Sequence, residues 1–397
     1  MSTPRSPIVP PATIGMLGGG QLGKYGLMAA NAMGYRTIVV DPDRGAPAGV
    51  VANEHIVAAY DNPETLEQLT VRCAVVTTEF ENAPAEALEQ LAMEVLVAPA
   101  SSSVAVAQDR IVEKTFMVEH GVDVGAFDAL PTDASDAQRE AARTLADRGA
   151  VVKTARLGYD GKGQRRVATR EELDTALADL GERDCIVESL LELLAEVSVL
   201  VARTVDGTVV TWPVAENEHV DEILDVSVVP ARVGPPIAEH AVAIATAIAD
   251  ALDYVGVLAV ELFVVADDRP ESAGGPRLLV NEIAPRPHNS GHWTIDASVT
   301  SQFEQQIRAV CGVGLGATSM TAPAVAMVNL LGDLWFLEGV DEPVEPDWAA
   351  VLADPDATLH LYGKVEPRPG RKMGHITVTS DSSTSAAERA IALRRAL

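Results

Sequence analysis

From Thr13 to Ser103, short β-branched apolar runs alternate with stretches whose apolar residues recur every three or four positions. The runs at 13–17, 36–40, 55–59, 74–78 and 95–98 read as strands, and 21–33, 63–71 and 83–92 as helices. Strands apolar along their whole length are buried on both faces, so this alternation predicts a parallel sheet with helices on either side. A helical linker is expected over 104–120. A small α+β unit follows, with helix 135–148, strand 150–154, a glycine loop, strand 165–168, helix 171–180 and strand 185–190. The remainder reads as strands 196–203 and 208–214, helix 237–252, strands 256–265 and 277–283, and a β-rich tail from 324 closed by a helix. The fold class expected is α/β and α+β, led by a doubly wound parallel-sheet domain. The division expected is a disordered tail over 1–11, a parallel domain over 12–103, a small domain with its linker over 104–190, and a C-terminal domain over 191–397.

The chain has 397 residues, 47% of them hydrophobic and 22% charged, enough for two or three ordinary globular domains. No apolar run approaches the roughly 18 residues of a membrane helix. The first eleven residues hold four prolines and no apolar core, so they do not read as a signal peptide. Cys73, Cys185 and Cys311 are odd in number, far apart and lack a CxxC pair, which argues against a disulfide framework or a zinc site and suits a reducing cytoplasm. The net charge of −27 argues against nucleic acid as partner but leaves room for small anions in a local basic pocket. Of six lysines, five (Lys24, Lys153, Lys162, Lys364, Lys372) fall in glycine- or proline-marked segments, where they suit point-charge contacts to phosphate.

Those segments carry the candidate chemistry. Gly18-Gly19-Gly20-Gln21-Leu22-Gly23 follows a strand and opens a helix, with Asp41 at the end of the next strand. Glycines at a helix N-terminus let the backbone approach a phosphate or pyrophosphate; a dinucleotide site and a purely structural turn remain open beside that reading. Glu79-Phe80-Glu81-Asn82 closes a strand where ligands of open parallel sheets bind, or it simply caps a helix. Lys153 leads into a loop with Gly158, Gly161, Lys162 and Gly163, suited to folding over a triphosphate, and no P-loop pattern is present. Glu188 and Glu196 flank a strand junction that suits adenine and ribose. Glu261 and Glu282, beside Asn281, interrupt apolar strands, where carboxylates are costly unless paired or metal-bound; hard oxygens suit magnesium. Arg286 and His288 project from a proline-stiffened loop just beyond, placed for a phosphoryl transition state or bicarbonate. Lys364, Arg368, Arg371 and Lys372 form a further basic cluster, either a second anion site or a solvated basic turn.

Together the segments GGGQLG (18–23), TTEFEN (77–82), QDR (108–110), KTARLGYDGKGQ (153–164), NEIAPRPHNSGHW (281–293), MVNLLG (327–332) and YGKVEPRPGRKMGH (362–375) resemble the N5-carboxyaminoimidazole ribonucleotide synthase family in order and spacing, over residues 13 to 380. The resemblance implies an ATP-grasp fold behind a pre-ATP-grasp domain. It implies carboxylation of 5-aminoimidazole ribonucleotide with ATP and bicarbonate, in purine synthesis. Carried over motif by motif, ATP would meet Arg110, Lys153, Gly158, Tyr159, Asp160, Gly161, Lys162, Gly163, Gln164, Glu188, Leu191, Glu196, His219, Asn281 and Glu282. Glu261 and Glu282 would hold magnesium, two ions by this reading. Arg286 and His288 would hold bicarbonate and, with Lys364, form the catalytic set. Gly20, Gln21, Leu22, Glu79, Lys364, Arg371 and Lys372 would hold the ribonucleotide, with its monophosphate on the glycine turn. A cytoplasmic homodimer is implied, without NAD, biotin, nucleic acid or membrane as partner. Leu157 stands where the family usually has glycine, and an acidic insertion over 266–276 lengthens a hairpin. The competing readings are another ATP-grasp ligase with a different acceptor, a nicotinamide dehydrogenase built on the glycine turn and Asp41, and a nucleotide sensor without catalysis.

Overall fold

Thr13–Leu17, buried from Ile14 on, lies at the centre of a five-stranded all-parallel sheet. Its neighbours are Arg36–Val40 and then Glu54–Ile56 on one side, Val75–Thr78 and then Leu96–Val97 on the other. The chain leaves the central strand in both directions, so the loops after Leu17 and Thr78 face one crevice. The computed structural model describes residues 6–158, 163–267, 275–336 and 342–397.

A four-stranded antiparallel sheet forms the small unit, in the order Phe127–Leu130, Cys185–Ser189, Ala150–Thr154, Gln164–Val167. The third part is a large antiparallel sheet in which Pro276–Ala284, Gly256–Ala266, Leu193–Arg203, Ala215–Val220, Ile223–Val229, Ala324–Leu331, Lys372–Ser380 and Ala357–Leu361 follow one another; Val209–Thr211 pairs with Leu193–Arg203 at its side. Two of these strands and one helix packed on them escaped the pattern reading. The pair Ala215–Val220 and Ile223–Val229 is a hairpin turned on Asp221 and Glu222, both at positive φ, a job that glycine and asparagine usually advertise. The helix Gln302–Val310 buries Gln302, Gln305 and Gln306, so its inner face does not look apolar in sequence.

Two expectations need correction. The expected linker helix is two helices, Ser101–Ala107 and Arg110–Glu119, because Asp109 caps the second by accepting the Ile111 and Val112 N–H groups. Its Met117 lies in the core of the large sheet with Val199, Leu258 and Val260, so the linker packs into the third part while its first turn still touches the small unit, where Arg110 N–H donates to Ala155 O at 2.9 Å. The disordered tail is also revised. Ile8 N–H donates to Cys311 O at 2.8 Å, the Tyr35 hydroxyl donates to Ile8 O at 2.8 Å, and Ile8 packs on the cluster of Tyr35, Ile307 and Cys311. Prolines removed the usual apolar signal there but left one anchoring isoleucine. Residues 1–5 and most of the acidic insertion (268–274) lie outside the described residues.

The parallel domain is fixed to the large sheet by the helix Gln302–Val310. Its Ile307 and Val310 share a core with Ile14 and Val75. Gln306 accepts the Val257 N–H at 2.6 Å and donates to Thr77 Oγ1 at 3.0 Å, joining both sheets through one amide. Removal of residues 1–11 should cost about 1–2 kcal/mol through the exposed Ile8 contacts. A calorimetric scan should then show a melting temperature lower by roughly 2–5 °C; an unchanged melting temperature would refute the anchoring.

Candidate active site

Gly18 turns at φ +100° at the end of the central strand, and the helix Gln21–Ala32 begins three residues on. The turn's N–H groups already have partners. Gly19 N–H donates to Asp41 Oδ2 at 2.7 Å and Gly20 N–H to Glu79 Oε1 at 2.6 Å. A Cβ on Gly20 would sit 2.8 Å from that Glu79 oxygen, so the glycine lets the carboxylate close in. This corrects the expectation that the turn cradles a phosphate. Two carboxylates occupy its donors, and a third anion there would be repelled. The turn instead positions Glu79, whose pKa is raised by burial. Asp41 also accepts from Tyr60 and from the Asp43 N–H, so its carboxylate is spent inside the turn and does not reach out to a ribose as in a dinucleotide site. Gln21 and Leu22 supply first-turn N–H groups that have no intrahelical partner; the Leu22 side chain is buried with Tyr25, Phe303 and Tyr362.

The C-terminal basic loop lies beside this helix. Lys24 Nζ donates to Leu361 O and Tyr362 O at 3.2 and 3.0 Å, next to Gly363 and Lys364. Lys364 Nζ donates to Lys372 O at 2.7 Å and stands over the Tyr362 ring; Arg371 donates to Glu366 O. Lys364 and Arg371 therefore edge the crevice, while Lys372 belongs to a different neighbourhood: its charge is felt by His219, Glu261, His288 and His292.

Glu261 and Glu282 are register partners on adjacent strands, with an irregularity immediately after Glu261. Burial and the Glu282 charge push Glu261 upward; burial opposes the charge on Glu282 as well, but Arg110, at 2.8 Å, holds its carboxyl low. Arg110 also donates to Gly158 O, where the glycine loop begins. Lys153 donates to Glu188 at 2.9 Å, and Lys114 Nζ lies 3.9 Å from the same carboxylate. Burial raises Glu188, yet Lys153, Lys114 and Arg110 together leave it below the usual range. Glu188 Oε1 and Asn281 Oδ1 are buried without a hydrogen-bond partner. Facing carboxylates plus an orphaned amide oxygen form a hard-oxygen set that fits a divalent cation. His219 lies 3.0 Å from Glu196; burial works against its charge, but Glu196 and Glu261 raise it. Leu191 lies between the last strand of the small sheet and the first of the large one.

Arg286, half-buried, pairs with Glu81 through two of its nitrogens. His288 Nε2 lies 3.2 Å from Glu261 Oε1, and burial, then Arg286 and Lys372, push its pKa down to about 3. Its backbone is pinned on both sides by Gln302, which accepts the His288 N–H at 2.8 Å and donates to His288 O at 2.7 Å. In the hairpin over the site, Gly163 is at positive φ and Gln164 reaches Glu222 of the large sheet's hairpin. Leu157 also has positive φ (61°), where glycine would be relaxed. Tyr159, Asp160, Gly161 and Lys162 lie outside the described residues.

The remaining predicted residues thus gather around one crevice, in two groups: Glu79, Lys364 and Arg371 at its N-terminal side, and Arg110, Lys153, Glu188, Glu196, His219, Glu261, Asn281, Glu282, Arg286, His288 and Lys372 at the large sheet. Residues missed in the sequence reading are Glu113, Lys114 and Gln302, and Glu81 was read without its partner Arg286. Glu113 accepts the Ile283 N–H at 2.6 Å, and Lys114 donates to Val280 O and Asn281 O, so one helical turn clamps the strand carrying Glu282. A lysine and a glutamate on an amphipathic helix look solvated; the signal lay in Lys114 being the one lysine without a glycine or proline nearby. Burial and then Glu282 push Glu113 up to about 8. A second imidazole cluster joins Asp296, His360 and His375. The rings of His360 and His375 stack 4.4 Å apart at 14°, so no single ion can lie in both ring planes, and the cluster is a packed stack.

Residues 11–108 match the ribonucleotide synthetase preATP-grasp domain, 115–303 the ATP-grasp domain and 325–389 the phosphoribosylaminoimidazole carboxylase C-terminal domain. The chain is 44% identical over 375 residues to the N5-carboxyaminoimidazole ribonucleotide synthase of Brucella melitensis, covering 94% of this chain and 98% of that one. A solved ADP complex of an N5-carboxyaminoimidazole ribonucleotide synthetase superimposes with a TM-score of 0.87 at 38% identity, covering 98% of both chains. An Aspergillus clavatus N5-carboxyaminoimidazole synthase, in complex with ADP and 5-aminoimidazole ribonucleotide, matches with a TM-score of 0.83 at 28% identity, covering 97% of this chain and 99% of that one.

Replacing Lys114 by methionine removes a buried cation from Glu188 and from two strand carbonyls. Stability in urea should fall by about 3 kcal/mol. A loss below about 0.5 kcal/mol, the scale of a surface change, would show that the clamp carries no load.

Proposed function

The chain belongs to the N5-carboxyaminoimidazole ribonucleotide synthase family, and from that premise we propose how its own residues divide the work. Its reaction is the ATP-dependent carboxylation of 5-aminoimidazole ribonucleotide to the N5-carboxyamino product, in purine biosynthesis. The division of labour rests chiefly on one observation: Glu261 and Glu282 face each other, with Arg110 on one carboxylate and His288 on the other.

ATP lies between the small sheet and the large one. Lys153 and Arg110, now neutralising Glu188 and Glu282, turn to the phosphates when the nucleotide enters, and the hairpin 158–164 covers them. Glu188, Glu196 and His219 face the nucleoside. Asn281, Glu261 and Glu282 would hold magnesium, which when bound supplies positive charge to the transferring phosphoryl group. Arg286 orients bicarbonate, and His288, neutral with so low a pKa, offers it a hydrogen bond and no positive charge. Glu81 keeps the guanidinium plane fixed.

Bicarbonate is a poor electrophile until one oxygen has been phosphorylated. Its oxygen attacks the γ-phosphorus, ADP leaves, and carboxyphosphate forms; this separates into carbon dioxide and phosphate. The exocyclic amine attacks carbon dioxide while the released phosphate takes its proton. The chain's contribution to these later steps is proximity and exclusion of water under the hairpin. Glu79, with the Gln21 and Leu22 backbone beside it, faces the amine and ribose side of the ribonucleotide, and Lys364 and Arg371 take its 5′-phosphate; Lys372 adds positive charge near His288. A homodimer in the cytoplasm suits this reading.

With bicarbonate and magnesium present, ADP release should be strongly stimulated by 5-aminoimidazole ribonucleotide. Turnover indifferent to it would overturn the assignment of the acceptor. Lys153→Ala, Glu282→Gln and Arg286→Ala should each lower turnover by about 10² or more in a coupled ADP assay. A folded variant with near-normal turnover would remove the corresponding residue from the scheme.

A further inference from the structure

A file of small polar side chains crosses the large sheet and ends on His288. Ser227, Asn217, Ser198 and Ser290 are all buried. Ser227 Oγ donates to Asn217 Oδ1 at 2.8 Å, Asn217 Nδ2 to Ser198 Oγ at 2.9 Å, and Ser198 Oγ to Ser290 Oγ at 2.8 Å. Ser290 Oγ lies 2.9 Å from His288 Nδ1. Strand register explains the alignment. Ser227 is opposite Asn217, Asn217 opposite Glu196, and Ser198 opposite Glu261; Glu196 and Ser198 are two apart and share a face. Buried hydroxyls and amides in an apolar sheet cost stability unless each is paired, and nothing in the ion-pair scheme above accounts for these four.

One group sets the polarity of the whole file. The Ser290 backbone N–H, which can only donate, points at His288 Nδ1 at 3.3 Å. Nδ1 is therefore an acceptor, and a neutral ring must carry its proton on Nε2. The Ser290 hydroxyl then also donates to Nδ1. Its oxygen accepts from Ser198, whose oxygen accepts from the Asn217 amide, whose own oxygen accepts from Ser227. Every group along the file has one consistent role. In the opposite tautomer the bare Nε2 would face the Glu261 carboxylate, and two donors would collide at Nδ1.

We propose that Ser290, Ser198, Asn217 and Ser227 are positioning residues that hold His288 as its Nε2–H tautomer, making it a fixed hydrogen-bond donor toward the oxygens of bicarbonate and its phosphorylated form. This rests on the reading of His288 as a bicarbonate ligand. Its consequence is that His288 does not act as a base through Nε2. A donor already aimed at the place where oxygen charge develops needs no reorganisation during phosphoryl transfer. Partners that fix a ring's tautomer are typically worth about 10–100-fold in function.

The test is a long-range proton–nitrogen correlation spectrum of the full-length enzyme, with the His288 signals assigned by their loss in His288→Gln. The expected wild-type spectrum shows Nδ1 bare and Nε2 protonated. Ser198→Ala and Ser290→Ala should move both nitrogens toward the tautomer average and lower kcat by about tenfold, with KM for ATP unchanged. Ser290→Thr should restore both. A wild-type ring protonated on Nδ1, or already averaged, would overturn the proposal even if no variant folds. So would a Ser198→Ala enzyme with unchanged spectrum and kcat. A fixed Nε2–H ring combined with full turnover in His288→Gln would keep the positioning file and sink the bicarbonate reading.

Discussion

Glu261 and Glu282 stand opposite each other on two strands that are otherwise apolar. Two carboxylates brought this close in a low-dielectric interior repel strongly, and each also loses its hydration. The surrounding residues answer that constraint. Arg110 comes from the linker to neutralise Glu282, and His288 Nε2 comes within 3.2 Å of Glu261 from the loop that follows the strand. Glu113 and Lys114 fix the backbone on either side of Glu282, so that the pair cannot relieve its repulsion by moving apart. Much of the site's architecture is therefore compensation for one unfavourable juxtaposition, which a cation and a polyphosphate arriving together would resolve.

A second consequence concerns assembly of the crevice. Glu79 and Lys364 are nearly 300 residues apart, and neither the parallel domain nor the C-terminal strands would hold both. The helix Gln302–Val310 packs its apolar residues on the parallel domain while Gln306 ties Thr77 to Val257, and Lys24 closes the other side on Leu361 and Tyr362. Docking by buried amides and a lysine fixes orientation more sharply than apolar contact alone, because each bond has a direction. The same reasoning applies to Gln302, which holds the His288 backbone from both sides.

Much of the fold was legible because it obeys simple periodicities. Four of the five parallel strands and the strands Gly256–Ala266 and Pro276–Ala284 are apolar runs bounded by turn residues, and they lie within a residue or two of where the pattern puts them; Glu54–Ile56 ends three residues earlier than expected. The hairpin at Asp221-Glu222 was hidden because two acidic residues adopt a backbone usually reserved for glycine, and the helix Gln302–Val310 because its buried face is made of glutamines. Isoleucine 8 was hidden among prolines, where one apolar side chain carries no periodicity.

The sequence by itself determined which residue types would do the chemistry. Carboxylates inside apolar strands, glycines in a lysine-bearing loop and cations between prolines each break a local rule, and a broken rule is visible without coordinates. What only the tertiary structure decided was partnership. That the Gly19 and Gly20 amides serve Asp41 and Glu79, and not a phosphate, depends on where a strand end lies across the sheet. That Glu81 meets Arg286, and that four scattered polar residues line up on His288, depends on register and docking between segments far apart in the chain. Hydrogen bonds and ion pairs act over about 3–4 Å in space whatever the separation in sequence, so the groups that tune a site leave no mark on the local pattern.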